Sequence, residues 1–270
     1  MKKAEKNRAR QASGLPRPCS QDMPMNIESF GLTDTGRVRT NNQDALLIDD
    51  EHRLYVVADG MGGHAAGEVA SAMATEAIRQ VFAGGYAAGG DAALSLEASR
   101  LVACIDEANR AVFGRSCTDA ACRGMGTTVA AVCFAGPMLV AANVGDSPVY
   151  VVRDGEAELI SVVHTVAAEY LARDPAGAKA LPARMRHMLS RAVGMEAQVD
   201  ADVCEMPCRP DDRIILCSDG LSNLVAPEEM AAMVTRQPPD AACRDLVNCA
   251  NQRGGPDNIT VIVLRICGKS

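Results

Sequence analysis

The run Leu54–Tyr55–Val56–Val57–Ala58–Asp59–Gly60–Met61–Gly62–Gly63 is the most informative stretch of this chain. Its apolar start, rich in β-branched and aromatic side chains, predicts a strand over Arg53–Ala58. It stops at a carboxylate. The glycines behind Asp59 free the backbone to turn and let a carbonyl approach whatever that carboxylate faces.

The same arrangement recurs along the chain. Asp44 precedes Ala45–Leu46–Leu47–Ile48, and Asp146 closes Leu139–Val140–Ala141–Ala142–Asn143–Val144–Gly145. Asp219 ends Ile214–Ile215–Leu216–Cys217–Ser218 and is followed by Gly220, while Asp257 precedes Asn258 and the run Ile259–Leu264. A single Asp-Gly is ordinary turn chemistry. Repeated at so many strand ends, the aspartates can gather on one rim if the strands share sheets. Carboxylates a few ångströms apart repel strongly unless cations neutralise them. Oxygen donors without Cys or His at ligand spacing suit Mg²⁺ or Mn²⁺ rather than Zn²⁺. No D-x-[DN]-x-[DN]-G spacing ending in Glu is present, so a calcium loop of that type is excluded.

Further strands are predicted at Ala45–Asp49, Thr127–Phe134, Met138–Val144, Pro148–Arg153, Arg213–Cys217 and Ile259–Ile266. Helical patterns cover Ala66–Ala83, Asp91–Phe113, Pro227–Thr235 and Asp240–Arg253. The helices come in pairs, and later strands follow one another through short turns such as Ala135–Pro137 and Asp154–Gly155. That order predicts an α+β fold with antiparallel sheets flanked by helices, rather than a doubly wound parallel sheet. Residues 1–25 carry most of their charge as Lys and Arg, followed by Pro, Ser, Gln and Met, and read as a disordered basic leader. Residues 26–270 read as one domain without internal repeats. Within it, 164–188 holds Pro175, Gly177, Pro182 and a cluster at Arg184–Met188, and reads as a surface insertion or flap.

Composition narrows the function. The 270 residues are 48% hydrophobic but only 3% aromatic, so the core rests on aliphatic side chains. The net charge of −7 argues against non-specific nucleic-acid binding. Eleven cysteines without a C-x-x-C pair, and no secretory signal pattern, point to reduced thiols in a cytoplasmic protein. No run is long and apolar enough for a membrane span.

Taken in order, these stretches resemble the protein phosphatase 2C family, the metal-dependent serine/threonine phosphatases, in its bacterial form. The matching residues are Thr33–Arg39 through Asn42–Gln43–Asp44, Val57–His64, Gly124–Thr128, Asn143–Ser147, Leu189–Gly194, Ser218–Leu221 and Gly255–Thr260. The resemblance implies a four-layer α-β-β-α sandwich with a metal site at one end. It places Asp44, Asp59, the Gly60 carbonyl, Asp219 and Asp257 on two core Mn²⁺ or Mg²⁺ ions, and Asp146 with Asp219 on a third, looser ion. It places Arg39 on the phosphate and His64 as general acid. Metal ions lower the pKa of bound water, which attacks phosphorus in line without a covalent enzyme intermediate. Phosphorylated proteins, and a cognate serine/threonine kinase with its targets, are the implied partners. The chain departs from the family at Pro148, where an Arg is usual, and at Val163, where an Asp commonly precedes the histidine.

Two rivals are weaker. The Cys-x₅-Arg pattern of cysteine phosphatases occurs at Cys104–Arg110 and Cys117–Arg123, but neither stretch holds a glycine to form a phosphate-cradling loop. No G-x-S-x-G of a serine hydrolase is present. A catalytically weak, phosphatase-like binding or regulatory module would have shed its carboxylates, and here they remain.

Overall fold

The continuous apolar runs are explained by burial on both faces. In the computed structural model, which describes residues 26–62, 66–85, 93–174, 182, 185 and 188–268, the chain forms two antiparallel sheets. The strands are β1 (Asn26–Asp34), β2 (Asp44–Asp49), β3 (Leu54–Met61), β4 (Gly126–Thr127), β5 (Val129–Ala135), β6 (Met138–Val144), β7 (Val149–Arg153), β8 (Glu156–Leu159), β9 (Asp202–Pro207), β10 (Arg213–Cys217) and β11 (Ile259–Cys267). One sheet runs β1-β11-β10-β7-β8 and the other β2-β3-β5-β6-β9, with β4 paired to β3. The helices are α1 (Ala66–Ala83), α2 (Leu96–Thr118), α3 (Val166–Arg173), α4 (Asp219–Ser222), α5 (Pro227–Arg236) and α6 (Pro239–Gln252).

Along β3, Tyr55 and Val57 face the other sheet, where they join Ile214, Leu216, Ile262 and Leu264. Their neighbours Leu54 and Val56 point outward beneath α1 and α2, against Ile78, Leu101 and Ile105. The second sheet repeats this: Ile215, Val261 and Val263 lie under α5 and α6, against Met230, Val234 and Leu246. Each fully buried Leu, Ile or Val contributes about 1.5–3 kcal/mol, so a strand sealed on both sides is held firmly. The predicted four-layer α-β-β-α order is present.

Three strands that the apolar runs did not reveal, β1, β8 and β9, are all sheet edges. β1 carries Asn26, Glu28, Ser29 and Asp34 among its apolar residues, and β8 reads Glu-Ala-Glu-Leu with most side chains exposed. An edge strand leaves one side open and tolerates charge, which blunts the hydrophobic signal. The second helix begins at Leu96 rather than Asp91, because the Ser95 hydroxyl caps it by accepting the Ala98 N–H at 3.1 Å. The leader (1–25), His64 and most of the flap beyond α3 lie outside the described residues.

Register sets the strand ends. Asp44 stands opposite Asp59 in the β2–β3 pair, and Asp34 stands opposite Ile259 in β1–β11. The aspartates of these strands therefore collect at one end of the sandwich. At the other end Asp212, with a side chain 2% exposed, accepts both Nε and Nη2 of Arg153 at 2.9 and 2.7 Å. It also accepts the Arg209 N–H at 2.7 Å. Replacing Asp212 by Ala strands a partly buried guanidinium, so Asp212→Ala is expected to lower stability by about 3 kcal/mol. The urea midpoint should fall while the activity of the folded fraction is unchanged.

Candidate active site

Asp44 starts β2 with its carboxyl buried between the sheets. Oδ2 accepts the hydroxyls of Ser218, at 2.8 Å, and Thr260, at 2.6 Å. The line continues outward: Thr33 Oγ1 bonds Thr260 Oγ1 at 2.7 Å and accepts Asn42 Nδ2 at 2.7 Å. Oδ1 of Asp44 is buried and has no hydrogen-bond partner among the described residues. Burial pushes the Asp44 carboxyl up to about 6; the two hydroxyls pull it down and the charges of Asp219 and Asp257 raise it further.

Asp59 closes the apolar part of β3. Its N–H donates to Thr128 Oγ1 at 2.9 Å, and its carbonyl accepts the Thr128 N–H and the Thr127 hydroxyl, each at 2.9 Å. Burial raises its carboxyl well above the usual range, and Asp44, Asp219, Asp146 and Asp257 add to the effect in that order. Those four carboxylates are near enough to disfavour its charge. Gly60 follows, with its N–H on the Gln43 carbonyl at 3.1 Å. A Cβ here would stand 2.1 Å from the Gly67 carbonyl at the start of α1. Only glycine allows β3 and α1 to meet so closely.

The remaining carboxylates stand on the same rim. Burial, then the charge of Asp219, pushes Asp146 up to about 7. Asp219 opens α4 and accepts Asn223 Nδ2 on its Oδ2 at 3.1 Å. Asp257 accepts the Asn258 N–H on Oδ1 and Arg39 Nη2 on Oδ2, both at 2.8 Å. Arg39, Asp59, Gly60, Asp146, Asp219 and Asp257 line a cavity of about 780 Å³ whose other wall includes Met188, Arg191, Met195 and Val199. Asp44 lies behind this lining. His64, expected as a general acid, lies outside the described residues. Among the described residues no three His, Cys, Asp or Glu side chains are closed on a common point; four of the carboxylates share the lining of one cleft.

Several working residues escaped the reading of the sequence. Asn258 pins the 35–43 segment that carries Arg39: Nδ2 donates to the carbonyls of Thr35 and Asn41 at 3.0 and 2.9 Å, and Oδ1 accepts the Gln43 N–H at 2.9 Å. Ser218, Thr260 and Thr128 hold Asp44 and Asp59. All four lie inside the stretches Gly124–Thr128, Ser218–Leu221 and Gly255–Thr260 that resemble the family, and that was the available signal. Pro148 costs the sheet nothing, since the β7 strand begins at Val149 and the Pro148 carbonyl still accepts the Cys217 N–H at 3.2 Å.

The residues fit hard divalent cations. The donors are oxygens, the buried Asp44 Oδ1 lacks a partner, and three carboxyls are held above their ordinary range by burial and then by one another's charge. Fold and cleft together define a two-sheet sandwich hydrolase of the carboxylate-and-divalent-ion class. The family model described as protein phosphatase 2C matches residues 35–260, and the chain belongs to that family. It is 33% identical over 239 residues to the serine/threonine phosphatase Stp of Listeria monocytogenes, covering 86% of this chain and 93% of Stp. It is 34% identical over 234 residues to the serine/threonine protein phosphatase PstP of Mycobacterium tuberculosis, covering 86% of this chain and 43% of PstP. The crystal structure of the catalytic domain of PstP in complex with two manganese ions superposes with a TM-score of 0.77 at 31% identity, over 91% of this chain and 100% of that one.

The raised carboxyls make a prediction for the metal-free chain. Asp146 keeps its proton in the folded state up to about 7, whereas the unfolded chain releases it near an ordinary pKa of about 3.9. The folded state therefore binds more protons between these values and loses stability as pH rises through them. Asp146→Asn removes that loss. With EDTA present, its Tm gain over the parent is expected to be larger at pH 8 than at pH 5; equal gains would contradict the crowding.

Proposed function

We propose that this chain hydrolyses phosphoserine and phosphothreonine on proteins, with Asp44, Asp59, the Gly60 carbonyl, Asp219 and Asp257 holding two Mn²⁺ or Mg²⁺ ions. Asp146 joins Asp219 on a third, looser ion. The observation that carries this reading is one cavity lined by Asp59, Asp146, Asp219 and Asp257 together with Arg39, with Asp44 held behind it by Ser218 and Thr260. When bound, the ions neutralise these charges, draw the phosphate in and acidify water enough for it to attack phosphorus.

The chain's own groups do the rest. Arg39 offers a planar fork of donors to the phosphate oxygens, and its bond to Asp257 aims that fork along the cavity wall. The Ser218 and Thr260 hydroxyls hold Asp44 in one orientation and leave Oδ1 free for an ion. His64, by the resemblance of Val57–His64 to the family, is assigned to protonating the departing serine or threonine oxygen. Residues 26–270 act as the catalytic domain, 1–25 as a basic leader and 164–188 as a flap.

A serine/threonine kinase acting on the same proteins is the natural counterpart. Every cysteine of the described residues is a free thiol, which supports a reducing, cytoplasmic setting. No helix among the described residues is long and apolar enough to cross a membrane.

The test is hydrolysis of phosphoserine and phosphothreonine peptides with Mn²⁺, with EDTA, and in two variants. Activity should require the ion. Asp59→Asn should lower kcat on the order of a hundredfold; a normal rate at saturating Mn²⁺ removes Asp59 from the metal set. Arg39→Ala should raise KM about tenfold with a smaller change in kcat, and an unchanged KM removes Arg39 from the phosphate site.

A further inference from the structure

His164 is fully buried and has no part in the chemistry above. Its backbone N–H donates to the Gly145 carbonyl at 3.0 Å, and its Nδ1 accepts the Gly145 N–H at 3.0 Å. Both faces of one glycine, the residue before Asp146, are thus held by one histidine. Because Nδ1 uses its lone pair, the ring proton is on Nε2, which donates to Asp202 Oδ2 at 2.9 Å. The same oxygen accepts Arg191 Nη1 at 2.7 Å, and that nitrogen also donates to the Asp200 carbonyl at 2.9 Å. The His164 carbonyl accepts the Ser190 N–H at 2.9 Å. Where Val163 removes the adjacent carboxylate expected from the family, Asp202 on β9 supplies one.

The turn under this clamp has no slack. Gly145 has φ +103°, and a Cβ there would lie 2.6 Å from Thr128 Cγ2. On one side, the Asn143 amide pairs with the backbone of Val162, accepting its N–H at 3.0 Å and donating to its carbonyl at 2.6 Å. On the other side, Ser147 Oγ bonds Thr128 Oγ1 at 2.7 Å, the atom that also receives the Asp59 N–H. Asp146 stands between these anchors with its carboxyl opposed by the charge of Asp219. A histidine that merely filled space would need its ring nitrogens satisfied. This one sends its ring and both backbone groups to segments that border the catalytic cavity.

We infer that His164 is a positioning residue for Asp146: it locks the Gly145 peptide so that the Asp146 carboxylate is presented to the looser divalent ion, and Asp202 with Arg191 holds the ring in the required tautomer. The inference rests on the reading of Asp146 as a ligand of that ion. Holding a ligand before the ion arrives removes the ordering cost that binding would otherwise carry.

Two substitutions separate this role from packing. The Asn side-chain oxygen falls near the place of Nδ1 and can still accept the Gly145 N–H. The Gln amide nitrogen falls near Nε2, keeps the Asp202 bond and leaves Gly145 without an acceptor. Mn²⁺ calorimetry on the full chain is compared for the parent, Asp146→Asn, His164→Asn and His164→Gln, with the metal-free Tm of each. Asp146→Asn and His164→Gln are expected to weaken the loosest Mn²⁺ step by about 10–100-fold, while His164→Asn stays within about threefold of the parent. The tighter steps should be unchanged in all. Equal shifts in the Asn and Gln variants, or an isotherm unchanged by Asp146→Asn, overturn the inference. If His164→Gln does not fold, Asp202→Ala replaces it, with about a tenfold loss expected and an unchanged isotherm overturning the proposal. The phosphatase reading is judged separately, because Asp59→Asn must abolish a tight step for that reading to stand.

Discussion

The mutual repulsion of buried carboxylates is the constraint on which this structure turns. Asp44, Asp59, Asp146, Asp219 and Asp257 are drawn from segments far apart in sequence and meet at one end of the sandwich. Burial and like charge both disfavour their ionised forms. Such a site weakens the fold that carries it, and the surrounding fold must be firm enough to hold the aspartates in place. Divalent cations bound among these carboxylates would reverse the balance, because a ligand that binds only the folded state stabilises it.

The firmness comes from strands sealed on both faces. β3 places Leu54 and Val56 under α1 and α2 and Tyr55 and Val57 against the opposite sheet. A strand gripped that way cannot slip by one residue without turning its whole hydrophobic set over. The positions of Asp44 and Asp59, directly opposite each other in the register, follow from that grip. The loop that carries Arg39 has no such core and is tied down by polar bonds instead, chiefly through Asn258. Aliphatic packing therefore fixes the carboxylates at the strand ends, while a buried amide fixes the loop that carries Arg39.

Hydroxyl and imidazole groups form the next layer. Ser218 and Thr260 orient Asp44; Thr128 takes the Asp59 N–H and shares a hydrogen bond with Ser147; His164 clamps Gly145. Each lies on a different strand or loop from the group it steadies. Val163 brings no carboxylate beside His164, and the ring pairs with Asp202, distant in sequence on an edge strand.

The amino-acid sequence by itself determined the central strands, the paired helices and the identity of the aspartates. Those features depend on local pattern: apolar runs, helical spacing, and an acid followed by glycine. The edge strands β1, β8 and β9 stayed hidden because an open side relaxes the hydrophobic requirement, and the start of α2 stayed hidden because a single serine hydroxyl set it. Only the tertiary structure decided that Asp44 keeps one oxygen unpartnered, that Arg39 leans on Asp257, and that His164 reaches Gly145 and Asp202. Those facts depend on distances between residues far apart along the chain, which spacing in the sequence does not encode and sheet register does.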